Sequence, residues 1–228
     1  IMKNKNYGIF NYSFIDNFIE NKRLEMFNLL NEQIKDSLIE SFLDIGTTEE
    51  NKLRSSNFFV KKFNKIKIIK SITDQDIIKN NFNNILKKSI TSDFTLEEID
   101  QYKSDLVISS ATIEHVGSNV AQMKMIENIC LLTNKYFFIT TPNRFFPIDF
   151  HTKLPLIHML PKKIHRKILN MISLKEYALE ENLNLLDISE INKMLKNLNE
   201  KGFLVSTYGI KLFGLTSNLL ILGKKINS

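Results

Sequence analysis

Apolar positions along the chain switch repeatedly between helical and strand spacing. Leu24, Phe27, Leu30, Ile34 and Leu38 recur every three or four residues, the stripe of an amphipathic helix. Ser41 to Gly46 is a short apolar run that ends on glycine and reads as a buried strand. Ser55 or Ser56 is placed to cap a helix through Phe58, Phe59 and Phe63. Lys65 to Thr73 alternates and is rich in isoleucine, a second strand. Asp74 then caps a helix through Ile77, Ile78 and Phe82, with a brief third strand near Ser89–Asp93. Asp105–Ser110 is a buried strand. Val120, Met123, Ile126 and Ile129 mark a helix, and Tyr136–Thr141 is a strand stopped by Pro142. Later, Ser189 caps a helix through Ile191, Met194, Leu195 and Leu198 that ends at Gly202. Phe203–Ile210 and Leu219–Leu222 close the chain as an antiparallel pair.

Alternation of this kind predicts an α/β fold, a Rossmann-like, mostly parallel sheet with helices on both faces and an antiparallel strand pair at the C-terminal end. In such sheets ligands sit beyond the carboxyl ends of the strands, at the switch point. Asp44–Gly46, Ser71–Asp74, Asp93–Phe94, Ser109–His115 and Thr141–Arg144 are all strand exits, and the reading requires them to converge.

Composition sharpens this picture in two places. The chain has 228 residues, one Cys and a net charge of +6, which suits a single domain over 1–228 with N-terminal helices in 1–40. Cys130 excludes an intrachain disulfide and a multi-thiolate metal site, and a reducing, cytoplasmic setting is the expectation. It lies on a helix face with Ile126 and Ile129 and reads as core. No apolar run reaches the roughly 18 residues of a membrane span. The charge is concentrated. Arg144, Lys153, Lys162, Lys163, Arg166, Lys167 and Lys175 are opposed within their window by Asp149 alone, so the whole excess lies there. His151, His158 and His165 fall in the same stretch. A basic insertion over 144–186, after the fifth strand, suggests an anionic partner or surface, or else is a solvated basic helix. Its helix should start at Pro161 or Lys162, with Ile164, Ile168 and Ile172 repeating every four residues. Residues 161–172 fit a lid over a site, or an interfacial helix on anionic lipid; the short length favours the lid.

Among chemistry-bearing residues, Asp44 and Gly46 place a carboxylate and a close-approach position at the first strand's exit. No GxGxxG and no P-loop pattern is present, which argues against a nicotinamide dinucleotide and a nucleoside triphosphate. His115 follows the strongest strand and is available for acid/base work near neutral pH; the alternative is that Glu114 and His115 only pack against or cap the following helix. Asn143 and Arg144 leave the next strand in a turn forced by Pro142. Asp149 and His151 lie just beyond it, but their spacing matches no metal pattern, so no metal is assigned. The basic window lacks interleaved aromatics, and no nucleic-acid partner is expected.

These motifs resemble the class I S-adenosylmethionine-dependent methyltransferases, especially the small-molecule type 11 and type 12 groups. Leu43-Asp-Ile-Gly46 matches the start of that family's first motif, Asp105 to Val116 the motif after its fourth strand, and Phe138 to Asn143 its fifth strand and exit. The likeness covers roughly Glu25 to the C-terminus. It implies a seven-stranded sheet, S-adenosylmethionine as methyl donor and a small, anionic or lipid-linked acceptor. It further implies Asp44, Gly46 and Thr47 on the methionine side, Ser71 or Asp74 at the ribose, Asp93 and Phe94 at the adenine, and Ser109, Ser110 and Ala111 beside the donor. His115, then His151, would be the base for an oxygen acceptor, with Asn143, Arg144 and His151 toward the acceptor. Thr48 and Glu50 stand where the family has its second and third glycines. An inactive binding protein of the same fold is the alternative, and a nucleic-acid methyltransferase a more distant one.

Overall fold

The strands form one seven-stranded sheet in the order β3-β2-β1-β4-β5-β7-β6. They are β1 (Ser41–Ile45), β2 (Ile68–Thr73), β3 (Asn84–Lys87), β4 (Ser104–Ser110), β5 (Thr133–Pro142), β6 (Phe203–Leu212) and β7 (Leu215–Lys225). The computed structural model describes residues 12–49, 55–77 and 82–226. β1 to β5 pair in parallel, whereas β5–β7 and β7–β6 are antiparallel. This is the Rossmann-like sheet with an antiparallel end that the alternation predicts. Its switch point lies between β1 and β4.

The near-continuous apolar runs of the central strands follow from burial on both faces. Successive side chains point to opposite sides, so each run feeds two cores. Leu43, Ile45, Val107, Phe137 and Ile139 pack on one face with Met125, Ile126 and Ile129 of α4 (Asn119–Leu131) and Ile191 of α7 (Ile188–Leu195). Phe42, Leu106, Ile108 and Phe138 pack on the other with Met26, Leu30 and Ile34 of α1 (Tyr12–Ile34) and Phe58 and Phe59 of α2 (Phe58–Lys62). Between β3 and β4 runs α3 (Leu96–Tyr102), and α5 (Lys162–Met171) and α6 (Lys175–Ala178) lie between β5 and α7.

Several local expectations are corrected. Ser89–Asp93 is a turn rather than a strand. Lys88 N–H still reaches the Thr73 carbonyl at 2.9 Å, but Ser92 N–H then returns to the Ser89 carbonyl and Thr91 N–H to the Ser89 hydroxyl. The third strand is Asn84–Lys87, just before. Residues 74–77 bend instead of starting a helix; Ile78 lies outside the described residues. The helix after β1 begins at Asn57, not Ser55 or Ser56. Asn57 has φ 47°, and its amide is tied to the backbone of Thr48. Asp187, not Ser189, caps α7, because Glu190 three residues later completes a capping box with it. Leu24, Leu38, Val120 and Met123 are exposed. In α5 the buried residues are His165 and Leu169, while Ile164 and Ile172 remain 49% and 46% exposed. No helix among the described residues is long and apolar enough to cross a membrane.

Candidate active site

The exits of β1 and β2 carry a small buried polar cluster. Asp44 is 7% exposed and accepts a hydrogen bond from the Thr47 hydroxyl, which in turn accepts from Ser71 Oγ at 2.8 Å. Thr73 Oγ1 donates to the Thr47 carbonyl at 2.8 Å. Burial pushes the Asp44 carboxyl up to about 6; the Thr47 hydrogen bond and the field of Arg23 only partly oppose this. Ser71 therefore lies inside this cluster, two residues before the end of β2. The last residue of β2 is Thr73, and Asp74 beyond it is exposed. Gly46 turns the chain at φ +85°, and a Cβ there would lie 2.3 Å from Thr112 Oγ1. The first strand's exit is thus in contact with the segment that follows β4.

That segment builds the second cluster. Ser110 Oγ pairs with the Thr140 hydroxyl at 3.1 Å. Ser109 is fully buried, and its Oγ has no hydrogen-bond partner. Ala111 takes φ +55°, a strained value for a residue with a Cβ. A short 3₁₀ turn, Ile113–His115, then presents Glu114 and His115.

The insertion supplies the rest, because it leaves and rejoins the sheet at one place. Asn143 bridges Leu186, and Arg144 N–H donates to the Leu186 carbonyl at 2.9 Å. On the returning limb, Asn184 N–H donates to the Glu114 carbonyl at 2.7 Å. The Asn184 side-chain amide donates to the Gly117 carbonyl, and Gln122 Nε2 reaches both Ile113 and Asn184 carbonyls. On the outgoing limb, Asp149 caps a turn by accepting from the backbone N–H of His151 at 2.9 Å and from the Thr152 hydroxyl at 2.6 Å.

His115 and His151, 36 residues apart, meet with their Nε2 atoms 3.1 Å from each other. His115 Nδ1 lies 2.7 Å from the Asn182 carbonyl, and His151 Nδ1 lies 3.2 Å from Asp149 Oδ1. Glu114 is fully buried; Oε2 accepts from Thr141 Oγ1 at 3.0 Å, and Oε1 lies 3.7 Å from His151 Nε2. Burial opposes charge at His151, yet Asp149 and Glu114 outweigh it and raise the imidazole to about 9. Burial also opposes ionisation of Asp149 and Glu114, yet His151 with Thr152 holds Asp149, and His151 with His115 holds Glu114, below the ordinary carboxylate range.

Other expected site residues lie elsewhere. Asp93 is at the surface, paired with Lys124 at 2.6 Å. Phe94 packs at the core's edge under Lys88, whose Nζ stands 4.9 Å from the ring centroid. Asn143 is occupied by the turn, donating to the Thr216 carbonyl and accepting from Phe145 N–H. Arg144 clamps the insertion, with Nε and Nη2 on the carbonyls of His158 and Leu160. Lys162 and Arg166 are paired with Glu190 and Glu180, so part of the basic excess is internally balanced. Burial pushes the Cys130 thiol up to about 12, which suits a core residue. The residue reading gave no functional role to Glu114, Thr112 or Asn182, and weighed Asp149 beside His151 without assigning it one. Only Asp149 left a sequence signal, an Asp two residues before His at a turn.

No protein-family model matches the chain, and no curated protein matches it in sequence. Solved structures do match in fold. The plantazolicin methyltransferase BpumL, solved with a desmethyl-plantazolicin analogue and SAH, aligns over 92% of this chain and 85% of its own, with TM-score 0.59 and 12% identity. The N-methyltransferase NodS from Bradyrhizobium japonicum aligns over 93% and 99%, with TM-score 0.53 and 10% identity. Magnesium protoporphyrin IX methyltransferase from Synechocystis, with bound SAM, aligns over 96% and 86%, with TM-score 0.51 and 10% identity. The chain has the class I methyltransferase fold.

Proposed function

We propose that this protein transfers a methyl group from S-adenosylmethionine to a small acceptor. The observation that carries the reading is the Glu114–His115–His151–Asp149 assembly at the exits of β4 and β5, in contact through Thr112 with the glycine exit of β1. Ligands of such sheets bind at this end, and the solved neighbours named above are methyltransferases.

The residues present fit the methionine end of the cofactor. Asp44 is a buried carboxyl whose ionisation is suppressed chiefly by burial, with the field of Arg23 only partly opposing it, and an ammonium group is a partner that would relieve it. Asp44, Gly46 and Thr47 would hold that end, with Thr73 and Asp74 toward the ribose. When bound, S-adenosylmethionine supplies an electrophilic sulfonium methyl. The protein's task is then to align the acceptor and take its proton. His115, anchored through Nδ1 on the Asn182 carbonyl, offers Nε2 for that proton. Asp149 orients His151 and stabilises charge on it. Arg144, through its hold on the 158–160 backbone, fixes the lid rather than the acceptor.

Titration calorimetry with S-adenosylmethionine tests the reading. Binding in the micromolar range is expected, weakened at least tenfold by Asp44→Ala. Absence of heat and of a thermal shift at millimolar cofactor would refute it and leave an inactive protein of this fold. A lipid-linked acceptor is a second reading, favoured by Ile164 and Ile172 facing outward beside exposed Lys163 and Lys167. Co-sedimentation with vesicles containing phosphatidylserine, but not with neutral vesicles, is its expected signature.

A further inference from the structure

The hydrogen positions of the histidine pair follow from their partners. A backbone carbonyl and an ionised carboxylate can only accept hydrogen bonds. His115 Nδ1 faces the Asn182 carbonyl and His151 Nδ1 faces Asp149, so both Nδ1 atoms carry the proton. In the neutral rings each Nε2 then holds a lone pair, and these two lone pairs face each other across 3.1 Å. Glu114 Oε1, buried and without a hydrogen-bond partner, is the third acceptor. Unless His151 takes up a second proton, three acceptors converge with no donor between them.

We propose that Glu114, His115 and His151 bind a divalent first-row transition cation. Their ligand atoms all lie within 4.8 Å of one another. Atoms held about 2.1 Å from one metal in tetrahedral or octahedral angles stand roughly 3.0–3.4 Å apart, which brackets the 3.1 Å between the two nitrogens. Glu114 Oε1, 3.7 Å from His151 Nε2 within a set that spans 4.8 Å, would move inward to complete the coordination. The outer partners are those a metal site requires. Asp149 and the Asn182 carbonyl orient the imidazoles, and Thr141 fixes the carboxylate. Charge agrees as well. Glu114 and Asp149 are two buried carboxylates; a proton on His151 supplies one positive charge, a divalent cation two. Two imidazoles and one carboxylate select Mn²⁺, Fe²⁺, Co²⁺ or Zn²⁺ over Mg²⁺ or Ca²⁺. Three protein ligands leave coordination positions for water or for an acceptor oxygen, whose proton the metal would make easier to remove; with the cation bound, a metal-held hydroxide would take that proton in place of His115 Nε2.

The site is tested on chelator-treated full-length protein without S-adenosylmethionine, so the result is separate from the methyl-transfer reading. Zn²⁺ calorimetry should give one equivalent, and Co²⁺ a visible d–d spectrum. His151→Ala and Glu114→Gln should each weaken binding at least 100-fold, and Asp149→Asn 10- to 100-fold. His165→Ala, outside the cluster, should leave it unchanged. Far-UV circular dichroism verifies that each variant is folded; should His151→Ala not fold, His115→Gln replaces it. Absence of binding to the wild type, binding indifferent to these substitutions, or equal affinity for Mg²⁺ would overturn the proposal.

Discussion

Asp44 offers the sharpest test of how the β1 exit is built. Its carboxyl is pushed from 3.8 up to about 6, chiefly by burial. The folded state therefore holds a proton more tightly than the unfolded chain does. Between pH 4 and pH 6 the native protein binds more protons than the unfolded chain, so stability from this group falls as pH rises. It is fully present below about pH 4 and lost above about pH 6. Two pKa units at about 1.4 kcal/mol each make about 3 kcal/mol, an upper bound. Asp44→Asn removes the titration while its amide oxygen can still accept from Thr47. Urea denaturation of both proteins from pH 4 to pH 8 isolates the effect, since other carboxyls titrate identically in the two. The variant should match the wild type at pH 4 and exceed it by about 2–3 kcal/mol at pH 8. A difference that does not change with pH would refute the account of a carboxyl pushed up by burial. By the same logic, a cationic ligand at Asp44 should bind more tightly as pH rises through 6.

Two glycines carry further predictions. Gly46→Ala combines a left-handed backbone, about 1–2 kcal/mol, with overlap against Thr112 Oγ1, about 1–3 kcal/mol. In a Thr112→Ala background the second part should largely vanish. Additive effects in the double-mutant cycle, read by urea denaturation, would show that the two exits do not touch. A Cβ on Gly223 would fall 2.0 Å from the buried Phe137 ring. Gly223→Ala should cost about 3 kcal/mol or more in the same assay, and a loss under 1 kcal/mol would mean that β5 and β7 pair in another register.

The sheet was legible because its strands are buried on both faces. Runs such as Phe42–Ile45 and Tyr136–Thr141 need no tertiary information to be read as strands. Local competition was harder to see. Ser89 is a good strand neighbour until its hydroxyl and carbonyl close a turn, and Ser189 is a good cap until Asp187 and Glu190 form a reciprocal one. The missed helix α3 had its signal in Thr95-Leu-Glu-Glu98, a capping box. The basic window suggested an apolar stripe through Ile164, Ile168 and Ile172. The insertion buried His165 and Leu169 instead, because tertiary contact chose a different face. His115 and His151 were each visible as candidates. Their meeting was not, since it depends on where a turn after β5 folds back over a turn after β4. Glu114 looked like a helix-start residue, and only its complete burial beside Thr141 marks it out.

The insertion touches the histidine pair at both of its ends. His151 belongs to the outgoing limb, and the Asn182 carbonyl that anchors His115 belongs to the returning one. The cluster is thus a latch with its two halves on one strap. A single cut between Leu160 and Leu179 would leave the sheet and both cores standing. It would free the pieces that hold each ring, so the chemistry could be lost while the fold persisted. The same arrangement lets sequence drift in the strap alter what the site accepts without disturbing a single strand.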